Sequence, residues 1–431
     1  MNFLKKQSPV RIISLGFALV ILIGSVLLSL PCSIRDGVTL RYIDALYMST
    51  SAVCVTGLLT VDAGDTFTPL GQFFLGMLIQ VGGLGVTAVG TGVILAMGKK
   101  INLKARNLIR EAGNLDSGKG VIRFIRLVFL TTVTFELAGA ALSFLVFRKS
   151  FPPLKAAGVS LFHSVASFNN SGFDILGGGQ NLIPYQDDIL LNLVTCALVI
   201  FGGIGFLVIR EVIAKRFRWK KLSMHAKVVL FMSLVLTAAG TVLLKLTEDI
   251  TWMGAFFTSV SARTAGFSTF PLGSFSGAGL LTVIVLMVIG ASPGSTGGGI
   301  KTTTCYVLFE GIRSSATNTS EKAFRYAVPA DAFRKAAVIT LLAIGIVLSG
   351  TYILVILEPG VPFLDALFEM SSAFGTAGLS TGISAGLCDA AKILTILIMF
   401  IGRLGPLTIA SLWYFTKGER VSYPEGNIAI G

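Results

Sequence analysis

Apolar residues run along this chain in long blocks, separated by short polar and charged segments. Eight blocks, at roughly 10–30, 71–98, 121–147, 188–213, 225–246, 279–304, 333–357 and 390–416, are long enough to cross ~30 Å of hydrocarbon as helices. The first has basic flanks (Lys5, Lys6, Arg11). Its apolar run is too long for a signal peptide, and no small-residue cleavage site follows. Between the paired blocks lie four shorter half-apolar segments, 42–53, 158–168, 251–262 and 362–373. They cannot span and read as re-entrant pore helices.

The short segments end alike: Ser51-Ala-Val-Cys-Val-Thr-Gly57-Leu58, Ser167-Phe-Asn-Asn-Ser-Gly172-Phe173, Ser261-Ala-Arg-Thr-Ala-Gly266-Phe267 and Ser372-Ala-Phe-Gly-Thr-Ala-Gly378-Leu379. Each has a small residue, then Gly, then Leu or Phe. A second motif recurs in the block that follows: Val81-Gly-Gly-Leu-Gly85, Phe201-Gly-Gly-Ile-Gly205, Ile289-Gly-Ala-Ser-Pro-Gly294 and Ile401-Gly-Arg-Leu-Gly-Pro406. The loop Gly and the first Gly of this motif are 25, 30, 24 and 24 residues apart. The unit is therefore span, short helix, Gly turn, span, repeated four times. The repeats occupy 1–100, 101–216, 217–320 and 321–431. Two spans per unit give all four the same orientation, unlike the inverted repeats of many secondary transporters. The predicted fold is an all-α membrane protein with eight transmembrane helices around a pseudo-fourfold central pore.

Composition agrees with this class. Hydrophobic residues make up 53% and charged residues 13%, and mean hydropathy is +0.80, which excludes an ordinary soluble enzyme and a disordered chain. Five scattered Cys and two His offer no disulfide framework or His-rich metal site. The net charge of +13 does not indicate nucleic-acid binding. Of 35 Lys and Arg, 26 fall in the N-terminus, 99–126, 210–227, 301–335 and the tail from 417. The positive-inside rule places these segments and both termini in the cytoplasm of a cell membrane, next to anionic lipid. The Gly turns then face outward.

The Gly turns carry the candidate chemistry. A cation losing its water needs a cage of oxygens, which peptide carbonyls supply without a full negative charge. Carbonyls that point inward from an extended segment need backbone angles that Gly permits. The short helices also aim their partly negative C-termini at the axis. The candidate filter comprises Val53, Cys54, Val55, Thr56 and Gly57 in the first repeat and Phe168, Asn169, Asn170, Ser171 and Gly172 in the second. Ala262, Arg263, Thr264, Ala265 and Gly266 supply the third, and Phe374, Gly375, Thr376, Ala377 and Gly378 the fourth. A cation in the pathway would oppose conduction, so Arg263 reads as bracing the filter from behind, and Asn169 and Asn170 read similarly. The second motif reads as a close-packing site, as small residues provide in membranes.

The sixth block contains Gly290, Ala291, Ser292, Pro293, Gly294, Ser295, Thr296, Gly297, Gly298 and Gly299 before Ile300. This run breaks a helix, and its freed backbone must face protein or water. It reads as a flexible intramembrane loop obstructing the pore, or as a kink. Arg403 lies deep in the last span, where a charge is costly and functional by default. Two placements are open to it: on carbonyls of the 290–300 loop, or in an ion pair with Glu136 or Glu369. Asp62, Asp65, Asp174, Asp187 and Asp188 lie near the predicted outer mouth and either concentrate cations or sit in an ordinary solvated loop. Asp44 and Asp365 begin pore helices, as carboxylates often do. No phosphate loop, HExxH or catalytic Cys/His arrangement occurs, so no enzyme is expected.

On the four loops, Ile79-Gln80-Val-Gly-Gly-Leu-Gly85, Met399-Phe-Ile-Gly-Arg-Leu-Gly-Pro-Leu407 and Tyr423-Pro-Glu-Gly426, the chain resembles the membrane subunit of the Ktr/Trk/HKT potassium transporter superfamily over nearly its whole length. The resemblance implies potassium uptake, one filter Gly per repeat and a gate at the 290–300 loop. Plant relatives with a sodium preference carry Ser at the first filter position, so Gly57 implies potassium as the ion bound there. The resemblance leaves open whether sodium is a coupling ion. It also implies a homodimer whose interface the C-terminal tail reaches, and a cytoplasmic nucleotide-binding regulatory ring of the KtrA kind.

Overall fold

The computed structural model describes residues 9–96, 120–329 and 331–411. The tail and most of the basic segment 99–126 lie outside the described residues. In chain order the helices form four groups. The first is α1 (Pro9–Leu28), the short α2 (Tyr42–Cys54), the one-turn α3 (Ala63–Thr66), and the consecutive α4 (Pro69–Leu84) and α5 (Val86–Ala96). The second is α6 (Val121–Phe147), the short α7 (Pro153–Phe168), α8 (Ile189–Ile204) and α9 (Phe206–Ala214). The third is α10 (Met224–Thr247), the short α11 (Trp252–Ala262), α12 (Gly277–Val288) and α13 (Thr302–Thr317). A two-stranded antiparallel hairpin, β1 (Lys322–Ala323) with β2 (Tyr326–Ala327), precedes the fourth group. That group is α14 (Ala332–Leu357), the short α15 (Phe363–Gly375), α16 (Asp389–Leu404) and α17 (Pro406–Ser411).

Packing follows the same order in every group. Each leading helix (α1, α6, α10, α14) lies against the short helix that follows it, and the short helix lies against the next long one. Between groups, α4 packs on α7, α8 on α11, α12 on α15, and α16 returns to α2. The cycle therefore closes, and the four short helices occupy its centre. Their C-terminal ends are buried, whereas the leading helices expose Leu19, Leu130, Leu234 and Leu341 outward. This inverted surface is what a lipid solvent demands. Thr68, Asp188, Thr251 and Ser276 each accept a hydrogen bond from the backbone N–H three residues on, capping α4, α8, α11 and α12. Such caps stabilise a helix start by about 1 kcal/mol each.

Several expected boundaries are corrected. Only the four leading helices are long and apolar enough to cross a membrane as single pieces among the described residues. The expected spans 71–98, 188–213 and 390–416 are each broken, at Gly85, Gly205 and Gly405. These glycines share one conformation, with φ 85°, 91° and 90° and ψ 134°, 142° and 139°, a backbone region essentially closed to residues with a Cβ. At Gly205 the axis turns by 98°. The expected sixth span, 279–304, is interrupted from Ile289 to Lys301 and resumes as α13, which runs well past residue 304 into the segment read as loop. The second short helix begins at Pro153 rather than 158, because Pro at the first helical position fits the helix start. The hairpin was not expected.

Candidate functional site

The C-terminus of each short helix is turned sharply. Val55, Asn170, Thr264 and Thr376 all have positive φ, of 57°, 57°, 89° and 49°. Each stands two residues before a loop glycine that also has positive φ: Gly57, Gly172, Gly266 and Gly378. In three repeats the intervening N–H reaches back five residues, from Thr56 to Ser51, Ser171 to Ala166 and Ala377 to Ser372, at 2.8–2.9 Å. This is the Schellman closure of a helix. The third repeat differs, with Ala265 N–H bonding Ser261 O at 2.8 Å. A non-Gly residue in the left-handed region costs ~1–2 kcal/mol, so the loops hold strain that the surrounding packing must maintain.

The four glycines meet in a closed ring. A Cβ added to Gly57 would stand 2.4 Å from Ser171 O, and one on Gly172 would stand 2.9 Å from Ala265 O. On Gly266 it would stand 2.9 Å from Ala377 O, and on Gly378 2.1 Å from Thr56 O. Each glycine thus lies against the carbonyl of the small residue before the next one, and the fourth closes on the first. All twenty candidate filter residues are buried.

Side chains brace the ring from behind. The Asn169 amide donates to Gln80 Oε1 (2.9 Å), Glu136 Oε1 (3.0 Å) and Val165 O (2.9 Å). Asn170 is hydrogen-bonded to Thr264 Oγ1 at 3.0 Å, joining the second loop to the third. Arg263 donates to Thr237 Oγ1 of α10 at 2.8 Å, so its guanidinium points back from the loop. Glu369 accepts from Ser380 at 2.8 Å and also from Ser384. Behind the first loop, Lys392 Nζ meets Asp44 Oδ1 at 2.6 Å, both nearly buried, and Arg41 bridges Asp44 and Asp389. The second motif supports the ring as well. Gly82, Gly202 and Gly402 lie so close to the carbonyls of Val53, Phe168 and Phe374 that a Cβ would stand 1.9–2.2 Å from each oxygen.

On one side the ring opens into a cavity of about 480 Å³, lined by Gly57, Gly266 and Gly378 together with Asp62 and Asp174. Asp62 and Asp65 accept from the Gly179 and Gly178 N–H groups at 2.7 and 2.8 Å, fastening the first outer loop to the second. Asp188 is a helix cap. Much of the expected acidic rim is thus engaged in hydrogen bonding.

The Ile289–Lys301 loop lies against the other side. Ser292 and Thr296 N–H donate to Gly203 O and Gly202 O (3.0 and 3.2 Å), and Phe206 N–H donates to Gly294 O (3.1 Å). Thr296 Oγ1 donates to Phe168 O (3.3 Å), and Gly298 N–H donates to Thr376 Oγ1 (3.0 Å). Arg403 donates to Thr296 O in this loop and to Gly82 O and Gly83 O of the first repeat. Neither Glu136 nor Glu369 pairs with it; the former is held by Asn169 and the latter by serines. The Arg403 guanidinium therefore sits on backbone oxygens. The sequence reading missed Lys301, whose ammonium donates to Gly297 O (2.8 Å) and Gly298 O (3.3 Å). A cation two residues after a glycine run inside an apolar block was the available signal. Two cations thus tie down the loop, and no carboxylate lies within 4 Å of either among the described residues.

Comparison with known proteins places the chain in a family. Residues 10–416 match the family model described as TrkH, cation transport protein. The chain is 36% identical to the Ktr system potassium uptake protein B of Bacillus subtilis, over 98% of this chain and 97% of that one. It is 35% identical to the potassium/sodium uptake protein NtpJ of Enterococcus hirae, over 99% and 98%. The crystal structure of the potassium transporter TrkH from Vibrio parahaemolyticus superposes with a TM-score of 0.75 at 19% identity, covering 95% of this chain and 86% of that one. Its helical membrane-transporter fold is thereby shared. The chain belongs to the TrkH/Ktr family of cation transport proteins, a family of transporters and not of enzymes.

Proposed function

We propose that this protein takes up potassium through a channel-like pore whose filter is the ring of four glycine loops and whose gate is the Ile289–Lys301 loop. The observation that carries the reading is the closed cycle in which each of Gly57, Gly172, Gly266 and Gly378 abuts the next repeat's carbonyl. Such a ring offers backbone oxygens from four sides and no full charge, which suits a cation shedding its water. Potassium is substrate here, bound in passage. The names of the Bacillus subtilis and Enterococcus hirae relatives favour potassium and keep sodium in view as a second or coupling ion.

In this reading the broken helices count as single crossings. Eight spans then form the four parallel repeats 1–100, 101–216, 217–320 and 321–431, with both termini in the cytoplasm. The cavity at Asp62 and Asp174 is the outer vestibule, and the loop held by Arg403 and Lys301 closes the inner side. That barrier is both steric and electrostatic, because two cations without a facing carboxylate repel a potassium ion at short range. The chain works as a homodimer under a cytoplasmic nucleotide-binding ring; the Ktr system naming of its relatives fits such partners. Ion flux into liposomes of the purified protein tests the core of the reading. Potassium and rubidium should enter faster than sodium, and equal entry of all three would overturn the filter assignment.

A further inference from the structure

Six consecutive residues between α9 and α10 carry four cations and two aromatic rings: Arg216, Phe217, Arg218, Trp219, Lys220 and Lys221. All six are exposed; Phe217 is 79% and Trp219 44% accessible. None of the four cations lies within 4 Å of a carboxylate among the described residues. The nearby acid in the chain is already engaged, since Glu211 accepts from Lys215 at 2.5 Å and from Ser223 N–H and Oγ at 2.6 Å. Two basic residues at the ends of neighbouring helices are paired, Arg313 of α13 with Glu310 and Lys335 of α14 with Asp331. The charge of this segment is therefore left uncompensated.

Position supplies the second observation. Because α8 turns by 98° at Gly205, α9 runs nearly at right angles to it. The α8–α9 pair is counted as one crossing, so the end of α9, where Ile213 is 62% exposed, reaches the inner face. The segment then leads directly into α10, a helix long and apolar enough to cross. Aromatic bodies interleaved with cations at the end of a span have the chemistry of the headgroup layer: the rings sit among acyl and glycerol groups while the charges meet phosphate. Trp219 also packs edge-on against Phe324 of the β1–β2 hairpin at 5.8 Å, and Phe324 against Phe231 of α10 at 6.2 Å. Arg325, next in the chain, is exposed beside them.

We propose that the Arg216–Lys221 segment is a binding site for the phosphate headgroup of an anionic phospholipid on the inner leaflet. The site rests on the topology proposed above but not on the identity of the transported ion. Through Trp219 and Phe324 it contacts the hairpin, and through Lys322 of the hairpin it reaches Tyr306 and Glu310 of α13, the helix that begins where the gate loop ends. A bound headgroup would restrain α9 and, through the Phe206 N–H bond to Gly294 O, the gate loop against it.

The test uses the purified full-length protein in neutral detergent, with its melting midpoint read against added short-chain phosphatidylglycerol, short-chain phosphatidylcholine or glycerol phosphate. Phosphatidylglycerol should stabilise at the lowest concentration, and glycerol phosphate should have no effect. In R216Q/R218Q/K220Q/K221Q the half-saturating phosphatidylglycerol concentration should rise at least about tenfold, since surface cations attract anionic lipid. R216K/R218K should retain the response, as should R148Q/K149Q/K155Q outside this segment. If the fourfold variant does not fold, F217A/W219A and raised salt each weaken the phosphatidylglycerol response in the intact protein. An unchanged phosphatidylglycerol preference in the Gln variant, or in both substitutes, overturns the proposal. Equal stabilisation by glycerol phosphate overturns it too, as does a fourfold variant that loses only an acidic soluble partner.

Discussion

Two residues before each loop glycine stands a side chain in the left-handed region, and except at Asn170 nothing in its chemistry announces this. Val55, Thr264 and Thr376 are β-branched and among the residues least suited to it. The glycines were legible because positive φ and close approach both demand them. Their neighbours were not, because tertiary packing imposes that conformation. The ring distances rank the glycines. Gly378 and Gly57 leave the least room, 2.1 and 2.4 Å to a carbonyl oxygen, and Gly172 and Gly266 leave 2.9 Å. Gly57→Ser should lower the potassium-to-sodium flux ratio by about tenfold, equivalent to ~1.4 kcal/mol of lost discrimination, with expression retained. Gly378→Ala should be at least as damaging, and Gly172→Ala milder. Liposome flux with both ions measures each ratio, and an unchanged ratio in Gly57→Ser removes this loop from the filter.

Among the elements, the interrupted helices were the hardest to read. Gly85, Gly205 and Gly405 sit within apolar stretches on both sides, so hydropathy passes over them. Only the run from Gly290 to Gly299 was dense enough in helix breakers to show as a break. The repeat itself was legible, because its two motifs recur at similar spacing. The gate reading gives a prediction at this scale. Deleting part of Gly294–Gly299 should raise flux several-fold, and Arg403→Gln and Lys301→Gln should each raise it less. Because all three act on the same loop, their effects should combine less than additively. Flux assays on the single and combined variants check this; a folded deletion with unchanged flux shows that the loop does not obstruct.

For the whole molecule, the contact between α16 and α2 completes the cycle, and its charged centre is the Asp44–Lys392 pair. Pairwise reading of a sequence cannot find partners 348 residues apart; Asp44 reads locally as a helix-start carboxylate, and nothing local to Lys392 names its partner. Removing Lys392 leaves Asp44 only the half-exposed Arg41, so the cost falls somewhat below the ~3–5 kcal/mol of a wholly uncompensated buried charge. Lys392→Met should therefore lower the melting temperature strongly, and Asp44→Asn combined with Lys392→Met should recover much of the loss. Thermal unfolding in detergent distinguishes these outcomes, and a double variant no better than the single one would show that the pair does not hold the cycle together.

The cyclic abutment of the four glycines has a consequence for biosynthesis. A ribosome delivers the loops one at a time, and each of the first three, when made, rests on a neighbour that does not yet exist. Until the last repeat emerges and Gly378 reaches the Thr56 carbonyl, the incomplete assembly keeps one open flank. Its strained turns then lack the packing that holds them. A nascent chain truncated before the fourth repeat should accordingly insert in the membrane without selecting between ions. Ion selectivity in this protein would then arise late and all at once, at the moment the end of the chain finds its beginning.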